Sequence, residues 1–296
     1  MARSVVVHSS FLIELAASVL EWVRDCGIRN AQDNGGAILA TLAIGDFNGD
    51  GIPDLVSENV GIMLGRGNGT FRPVGATYSE GPSAGALVAA DFNHDGKLDI
   101  VQIASLYSDG VATYLGNGDG TLRAVRSYAD GISTTLQVAA DFNNDGKMDV
   151  AEIGQDRLGD PTLEVLAGNG QGSLKALNAF PLTATPISAI PGDFNNDGNV
   201  DVALLTVDEV LILPGKGDGT FNAPIATSIP YGSNAFAVAD FDHNGTLDIA
   251  VLEPCPDEQY CPSNVLIYLG NGDGTFKSRR VISNRVVFGR NCGGRF

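Results

Sequence analysis

Short apolar runs recur along the chain, and each is cut by a cluster of Asp, Asn and Gly. The second of these periods is clear: Ala86-Leu87-Val88-Ala89-Ala90, then Leu98 to Ile103, then Val111 to Leu115, then about Arg123 to Tyr128. Runs this short, bounded by turn residues, predict strands rather than helices. Four in succession predict a four-stranded antiparallel meander. A lone meander cannot bury both faces, so neighbouring copies must stack into a closed or nearly closed array. The fold class expected is all-β, a β-propeller of four-stranded blades.

The breaks between runs are themselves repeated. Asp46-Phe47-Asn48-Gly49-Asp50-Gly51-Ile52-Pro53-Asp54 returns at Asp91–Asp99, Asp141–Asp149, Asp193–Asp201 and Asp240–Asp248. The first aspartates are 45, 50, 52 and 47 residues apart, the length of one propeller blade. A second landmark follows each copy, Gly-x-Gly-x-Gly-[Ser/Thr]-[Phe/Leu], at 65–71, 116–122, 168–174, 215–221 and 270–276. Asn-Gly and Asp-Gly between apolar runs signal hairpins. A dinucleotide loop is disfavoured, because such a loop opens a helix.

Counting the first aspartate as position 1, oxygen-bearing side chains occupy positions 1, 3, 5 and 9 in every copy. The candidate ligands are Asp46, Asn48, Asp50 and Asp54; Asp91, Asn93, Asp95 and Asp99; Asp141, Asn143, Asp145 and Asp149; Asp193, Asn195, Asp197 and Asp201; and Asp240, Asp242, Asn244 and Asp248. Position 7 varies freely (Ile52, Lys97, Lys147, Asn199, Thr246), as expected of a residue that offers only its carbonyl. Glycine at position 6 permits the sharp turn that wraps the chain round an ion, and position 9 is placed to close the site bidentately. Hard oxygen donors without sulfur or imidazole select Ca²⁺, up to five ions, one per loop. An EF-hand is disfavoured, since position 12 is not a consistent glutamate and the flanks alternate like strands. The competing interpretation is five Asx-rich turns without metal.

These loops resemble the integrin-type FG-GAP or VCBS repeat, and Gly270–Phe276 is similar to the bacterial form of its paired turn. The resemblance covers roughly residues 38–288. It implies a calcium-binding propeller, extracellular or at the cell surface, serving adhesion, ligand recognition or sugar binding. Positions 1, 3, 5 and 9 match in every copy, with acid and amide exchanged between Asp242 and Asn244. Propellers of this kind commonly have six or seven blades, whereas five repeats are visible here.

Net charge is −17 in 296 residues, which argues against nucleic acid as a partner. Five Ca²⁺ would bring it to about −7. No apolar stretch is long enough for a transmembrane helix. Residues 1–37 form a separate segment, either an amphipathic helix presenting Leu12, Leu15, Val19, Trp22 and Val23 on one face, or a poor signal-like sequence. Residues 289–296 are a Gly/Arg tail. Cys255 and Cys261 bracket a short loop and read equally well as a local disulfide or as two thiols. Catalysis is not expected: the only histidines are His8, His94 and His243, and the repeat already accounts for the paired carboxylates. The function expected is an interaction or adhesion module with structural calcium, whose loops bind a protein or a glycan. A lectin is the alternative, although strand tyrosines are more often blade packing than sugar platforms.

Overall fold

The computed structural model describes residues 42–57, 61–75, 86–105, 108–128, 132–253, 264–277 and 280–283. The segment expected at 1–37, the Cys255–Cys261 pair and the tail at 289–296 lie outside them.

The described residues contain strands and no helix, arranged as five four-stranded antiparallel sheets that form a five-bladed β-propeller. Blade 1 holds β1 (Leu42–Gly45), β2 (Asp54–Ser57), β3 (Ile62–Gly65) and β4 (Phe71–Pro73). Blade 2 holds β5 (Leu87–Ala90), β6 (Asp99–Ser105), β7 (Ser108–Gly116) and β8 (Leu122–Tyr128). Blade 3 holds β9 (Ser133–Ala140), β10 (Asp149–Gln155), β11 (Pro161–Gly168) and β12 (Leu174–Pro181). Blade 4 holds β13 (Ser188–Gly192), β14 (Asp201–Leu205), β15 (Glu209–Leu213) and β16 (Ile225–Ser228). Blade 5 holds β17 (Phe236–Ala239), β18 (Asp248–Glu253), β19 (Asn264–Tyr268) and β20 (Arg280–Ser283). Strands pair in chain order within each blade, as the meander predicts.

The core lies between blades. Side chains alternate along a strand, so each blade has a face toward the blade before it and a face toward the blade after it. In the second strand, the residues one and three past the position-9 aspartate face backward, and those two and four past it face forward. Between blades 3 and 4, Ala151, Ile153, Leu163 and Val165 meet Val202, Leu204, Leu211 and Leu213. Between blades 4 and 5, Ala203, Leu205, Val210 and Ile212 meet Ile249, Val251, Leu266 and Tyr268. Because both faces are covered, β14 is buried along its whole length and reads as a continuous apolar run after its aspartate. The position-2 phenylalanine belongs to the forward face, as with Phe142 against blade 4 and Phe194 against blade 5. Tyr114 and Tyr268 are buried in these layers, the packing role expected for strand tyrosines.

Candidate metal centre

Each aspartate loop joins the first and second strands of its blade, and each glycine turn lies between the third and fourth. Both therefore lie at the same end of the blade. The loop owes its shape to its own side chains. The position-1 carboxylate accepts the amide of position 5 through Oδ1 and that of the position-6 glycine through Oδ2; for Asp141 the two lengths are 3.1 and 2.8 Å. The position-5 side chain accepts the amide two residues on in every loop, and in loops 1–4 the position-3 asparagine does the same, at 2.9 Å for Asn143 and 3.0 Å for Asp145. These are Asx turns in series. Each accepting oxygen keeps a further lone pair beyond these bonds.

Two residues of the loop are left-handed, not one. Position-6 glycines have φ of +81 to +86°, as predicted. Position 4 is also left-handed: φ is 74° at Gly49, 59° at His94, 55° at Asn144, 57° at Asn196 and 57° at His243. The signal was the restriction of that position to Gly, His and Asn, residue types that tolerate φ > 0. Both histidines are exposed there.

The position-9 aspartate does more than offer itself to an ion. Asp54, Asp99, Asp149, Asp201 and Asp248 are all fully buried. In each, Oδ2 accepts the amide of the position-2 phenylalanine; Asp201 takes that of Phe194 at 2.9 Å. Oδ1 accepts the amide of the first glycine in the blade's own turn, Gly215 at 2.7 Å. The same pair of bonds recurs in the other four blades. One carboxylate thus ties the two sequence landmarks together. The landmarks also join successive blades: the third glycine of a turn donates to the phenylalanine carbonyl of the preceding blade, Gly120 to Phe47, Gly172 to Phe92, Gly219 to Phe142 and Gly274 to Phe194, at 2.9–3.2 Å.

Position 7 is not a free side chain. Lys147 Nζ lies 2.9 Å from Asp145 Oδ2, and Lys97 Nζ 3.7 Å from Asp95 Oδ2. Asn199 Oδ1 accepts from Asn144 Nδ2 of the preceding blade at 2.8 Å. Thr246 Oγ1 donates to Asn244 Oδ1 at 2.5 Å. Position-7 side chains lie over the second glycine of the turn, where a methyl group on Gly170 would sit 3.1 Å from Lys147. In loops 2 and 3 a lysine thus faces the carboxylate that would hold the ion.

The donor set fits calcium. Oxygens on opposite sides of one Ca²⁺ stand roughly 4.6–5.2 Å apart, twice the metal–oxygen distance. One carboxylate oxygen each from Asp240, Asp242 and Asp248 lies within 4.8 Å of the others. Among the described residues this fifth loop is the one that brings three acidic groups so close, because Asp242 stands where the other loops carry Asn.

Burial pushes Asp99, Asp149 and Asp201 up to about 6, and Asp54 is raised for the same reason; their backbone hydrogen bonds oppose the shift and the aspartates of the same loop add to it. Exposed Asp119, Asp218 and Asp273 are lowered, chiefly by hydroxyl hydrogen bonds from Thr121, Thr220 and Thr275, and Asp145 is lowered by Lys147. A carboxyl with a raised folded pKa contributes stability that is complete below the unfolded value and lost as pH rises through the folded one. The lowered groups lose their contribution only below about pH 4. Metal-free protein is therefore expected to gain stability from pH 7 to pH 5, read as a rising urea midpoint in EDTA. Asp149→Asn should flatten that slope. A midpoint that falls over this window would contradict the burial assigned to the position-9 carboxylates.

Residues 46–102, 91–152, 141–204 and 193–251 each match the FG-GAP-like repeat. No curated protein sequence matches the chain. Its fold is similar to that of BP39L lectin from Burkholderia pseudomallei, with TM-score 0.56 and 14% identity over 82% of this chain and 70% of the lectin. It is likewise similar to an Agrocybe aegerita lectin described as recognising non-reducing terminal N-acetylglucosamine, with TM-score 0.54 and 18% identity over 81% of this chain. The chain spans 65% of that lectin's length. A Lactobacillus plantarum protein gives TM-score 0.54 and 13% identity over 81% of this chain and 70% of its own. At these identities the likenesses show the fold.

Proposed function

The chain belongs to the FG-GAP-like repeat family, and on that premise we propose that it is a calcium-stabilised interaction module, extracellular or at the cell surface. The observation that carries the proposal is the Asp240–Asp242–Asp248 cluster, whose oxygens stand at the spacing one Ca²⁺ accommodates, within a loop built five times over. Asp46, Asp91, Asp141, Asp193 and Asp240 with their position-3, 5 and 9 partners would hold the ions, and the position-7 carbonyls would complete each site. Bound calcium would offset the burial of the position-9 carboxylate and its repulsion by the other aspartates of the loop. It would also stiffen the junctions between blades, because the position-9 aspartate is tied to both landmarks. The role proposed is binding rather than catalysis, because the carboxylates that recur in clusters are those of the repeat loops. No helix among the described residues is long and apolar enough to cross a membrane.

The test is a set of thermal melts in EDTA, in millimolar calcium and in millimolar magnesium, with bound calcium counted in the same samples. A calcium-specific rise in Tm with several ions per chain, five at most, is the expected result. An unchanged melt without bound calcium would leave the loops as Asx turns only. A metal that binds only the folded state stabilises by mass action, so the rise should grow with free calcium.

A glycan ligand is the second reading, and Tyr231 favours it. This ring is 77% exposed in the connection between blades 4 and 5, at the end of the blades opposite the aspartate loops. The amide of the adjacent Gly232 donates to the carbonyl of Val207, itself an exposed hairpin residue. An exposed ring with an apolar neighbour and the carboxylates Asp208 and Glu209 nearby in sequence suits a sugar face. Binding on a glycan array that Tyr231→Ala abolishes would select this reading, and binding unaffected by it would exclude the site.

A further inference from the structure

The five loops differ in what faces the position-5 side chain. In loops 1 and 4 the position-3 asparagine supplies an amide: Asn48 Nδ2 donates to Asp50 Oδ2 at 2.9 Å, and Asn195 Nδ2 to Asp197 Oδ2 at 3.0 Å. In loops 2 and 3 the position-7 lysine supplies a full positive charge, 3.7 Å from Asp95 Oδ2 and 2.9 Å from Asp145 Oδ2. The fifth loop has neither. Its position-7 residue is Thr246, and its position-3 residue is Asp242, whose side chain has no N–H to give. The side chains that accept hydrogen bonds in this loop are those of Asp240, Asn244 and Asp248. Among the described residues no donor reaches the exposed Asp242 carboxylate, although it lies within 4.8 Å of the carboxylates of Asp240 and Asp248.

Resting on the calcium reading above, we infer that the loops fill in a fixed order: the fifth takes the first Ca²⁺, and Lys97 and Lys147 make loops 2 and 3 the last. Like charges within reach of one ion repel, and a divalent cation gains most where no other donor already relieves them. Asp242 is in that position. In loops 2 and 3 an ammonium already stands at an oxygen the ion would use. It must leave before that oxygen can turn to the metal, and its tether then keeps one positive charge beside two more. Both lysines are partly exposed, so the effect is moderate and screened by salt; an exposed ion pair shifts an equilibrium by up to about fivefold. Loops 1 and 4 fall between, because the asparagine amide is neutral and can turn its oxygen toward the ion. Lys97 and Lys147 are thus internal competitors of calcium, and they set which loops respond last as free calcium rises.

The test is a calcium titration of the metal-free full chain, with affinities read by calorimetry and ions counted by native mass spectrometry, at low and at high salt. The variants are Asp242→Asn, Lys97→Met, Lys147→Met and, as a control for charge alone, Lys175→Met on β12, outside the loops. All four residues are exposed or partly exposed, so the blades should tolerate the changes. The native chain should bind in unequal steps. Asp242→Asn should remove the tightest step. Each position-7 methionine should strengthen one of the weakest steps about three- to fivefold at low salt and less at high salt, whereas Lys175→Met should change none. Calcium bound by the native chain with one affinity at every site overturns the order while the calcium reading stands. So does a tightest step that survives Asp242→Asn, or position-7 variants that behave like Lys175→Met. A native chain that binds no calcium overturns both.

Discussion

Asp201→Ala should destabilise the metal-free protein by about 3 kcal/mol in urea unfolding at pH 7. The substitution orphans two buried donors, the amides of Phe194 and Gly215. Each unsatisfied donor costs roughly 1–3 kcal/mol. Part of that is returned, because removing Asp201 also removes a carboxylate that burial pushes up to about 6. Asp201→Asn should fall between the two, since the amide oxygen can keep one partner while its NH₂ faces the other donor. Asp197→Ala is the contrast. Asp197 is exposed and bonds within its own loop, to the amide of Asn199 at 2.8 Å. Its loss should cost little without metal and should weaken calcium binding at that loop. If Asp201→Ala proved as stable as the native chain, the carboxylate would not be the tie between the landmarks, and a purely metal-ligating role would stand in its place.

Gly168→Ala should cost about 3 kcal/mol or more, and Gly146→Ala about half as much. The two glycines are needed for different reasons. Gly168 has an ordinary φ, but a methyl group on it would lie 2.0 Å from the carbonyl oxygen of Met148. That atom is backbone at the end of the aspartate loop, so the loop and the turn must move apart, and the bond from Gly168 to Asp149 goes with them. Forced overpacking of this kind costs about 1–3 kcal/mol, occasionally more. Gly146 has φ +81° and open space around its methyl position. Alanine there meets only the left-handed penalty, roughly 1–2 kcal/mol. Denaturant midpoints of the two variants decide the order. A larger loss at Gly146 would mean that backbone handedness, and not close approach, holds the landmarks together.

The aspartate loop and the glycine turn were both legible in the chain, but their relation was not. In sequence Asp149 and Gly168 lie 19 residues apart, and nothing local connects them. Antiparallel pairing of β10 with β11 brings them into contact, and that contact gives the position-9 aspartate its second task. Position 7 illustrates the same limit. Its variability read as freedom, whereas each residue there lies over the glycine turn, and two lysines pair with loop carboxylates. Position 4 was legible in principle, because Gly, His and Asn share tolerance of the left-handed region. The clustering of three carboxylates in the fifth loop follows from a single exchange, Asp242 for Asn, visible in the sequence but without geometric meaning until the loop is folded.

By itself the sequence determined the repeating unit: four strands per blade, five blades, one Asx-turn loop and one glycine hairpin in each, and hard oxygen donors throughout. These follow from local rules of alternation, turn chemistry and side-chain reach, which act over a few residues. The tertiary structure decided what one blade does to the next. It set the carboxylate tie between landmarks and the phenylalanine carbonyl that receives the next blade's glycine. Those features depend on residues far apart in the chain meeting across a stack of sheets, and a pattern that is local to each repeat cannot show what one repeat gives the next.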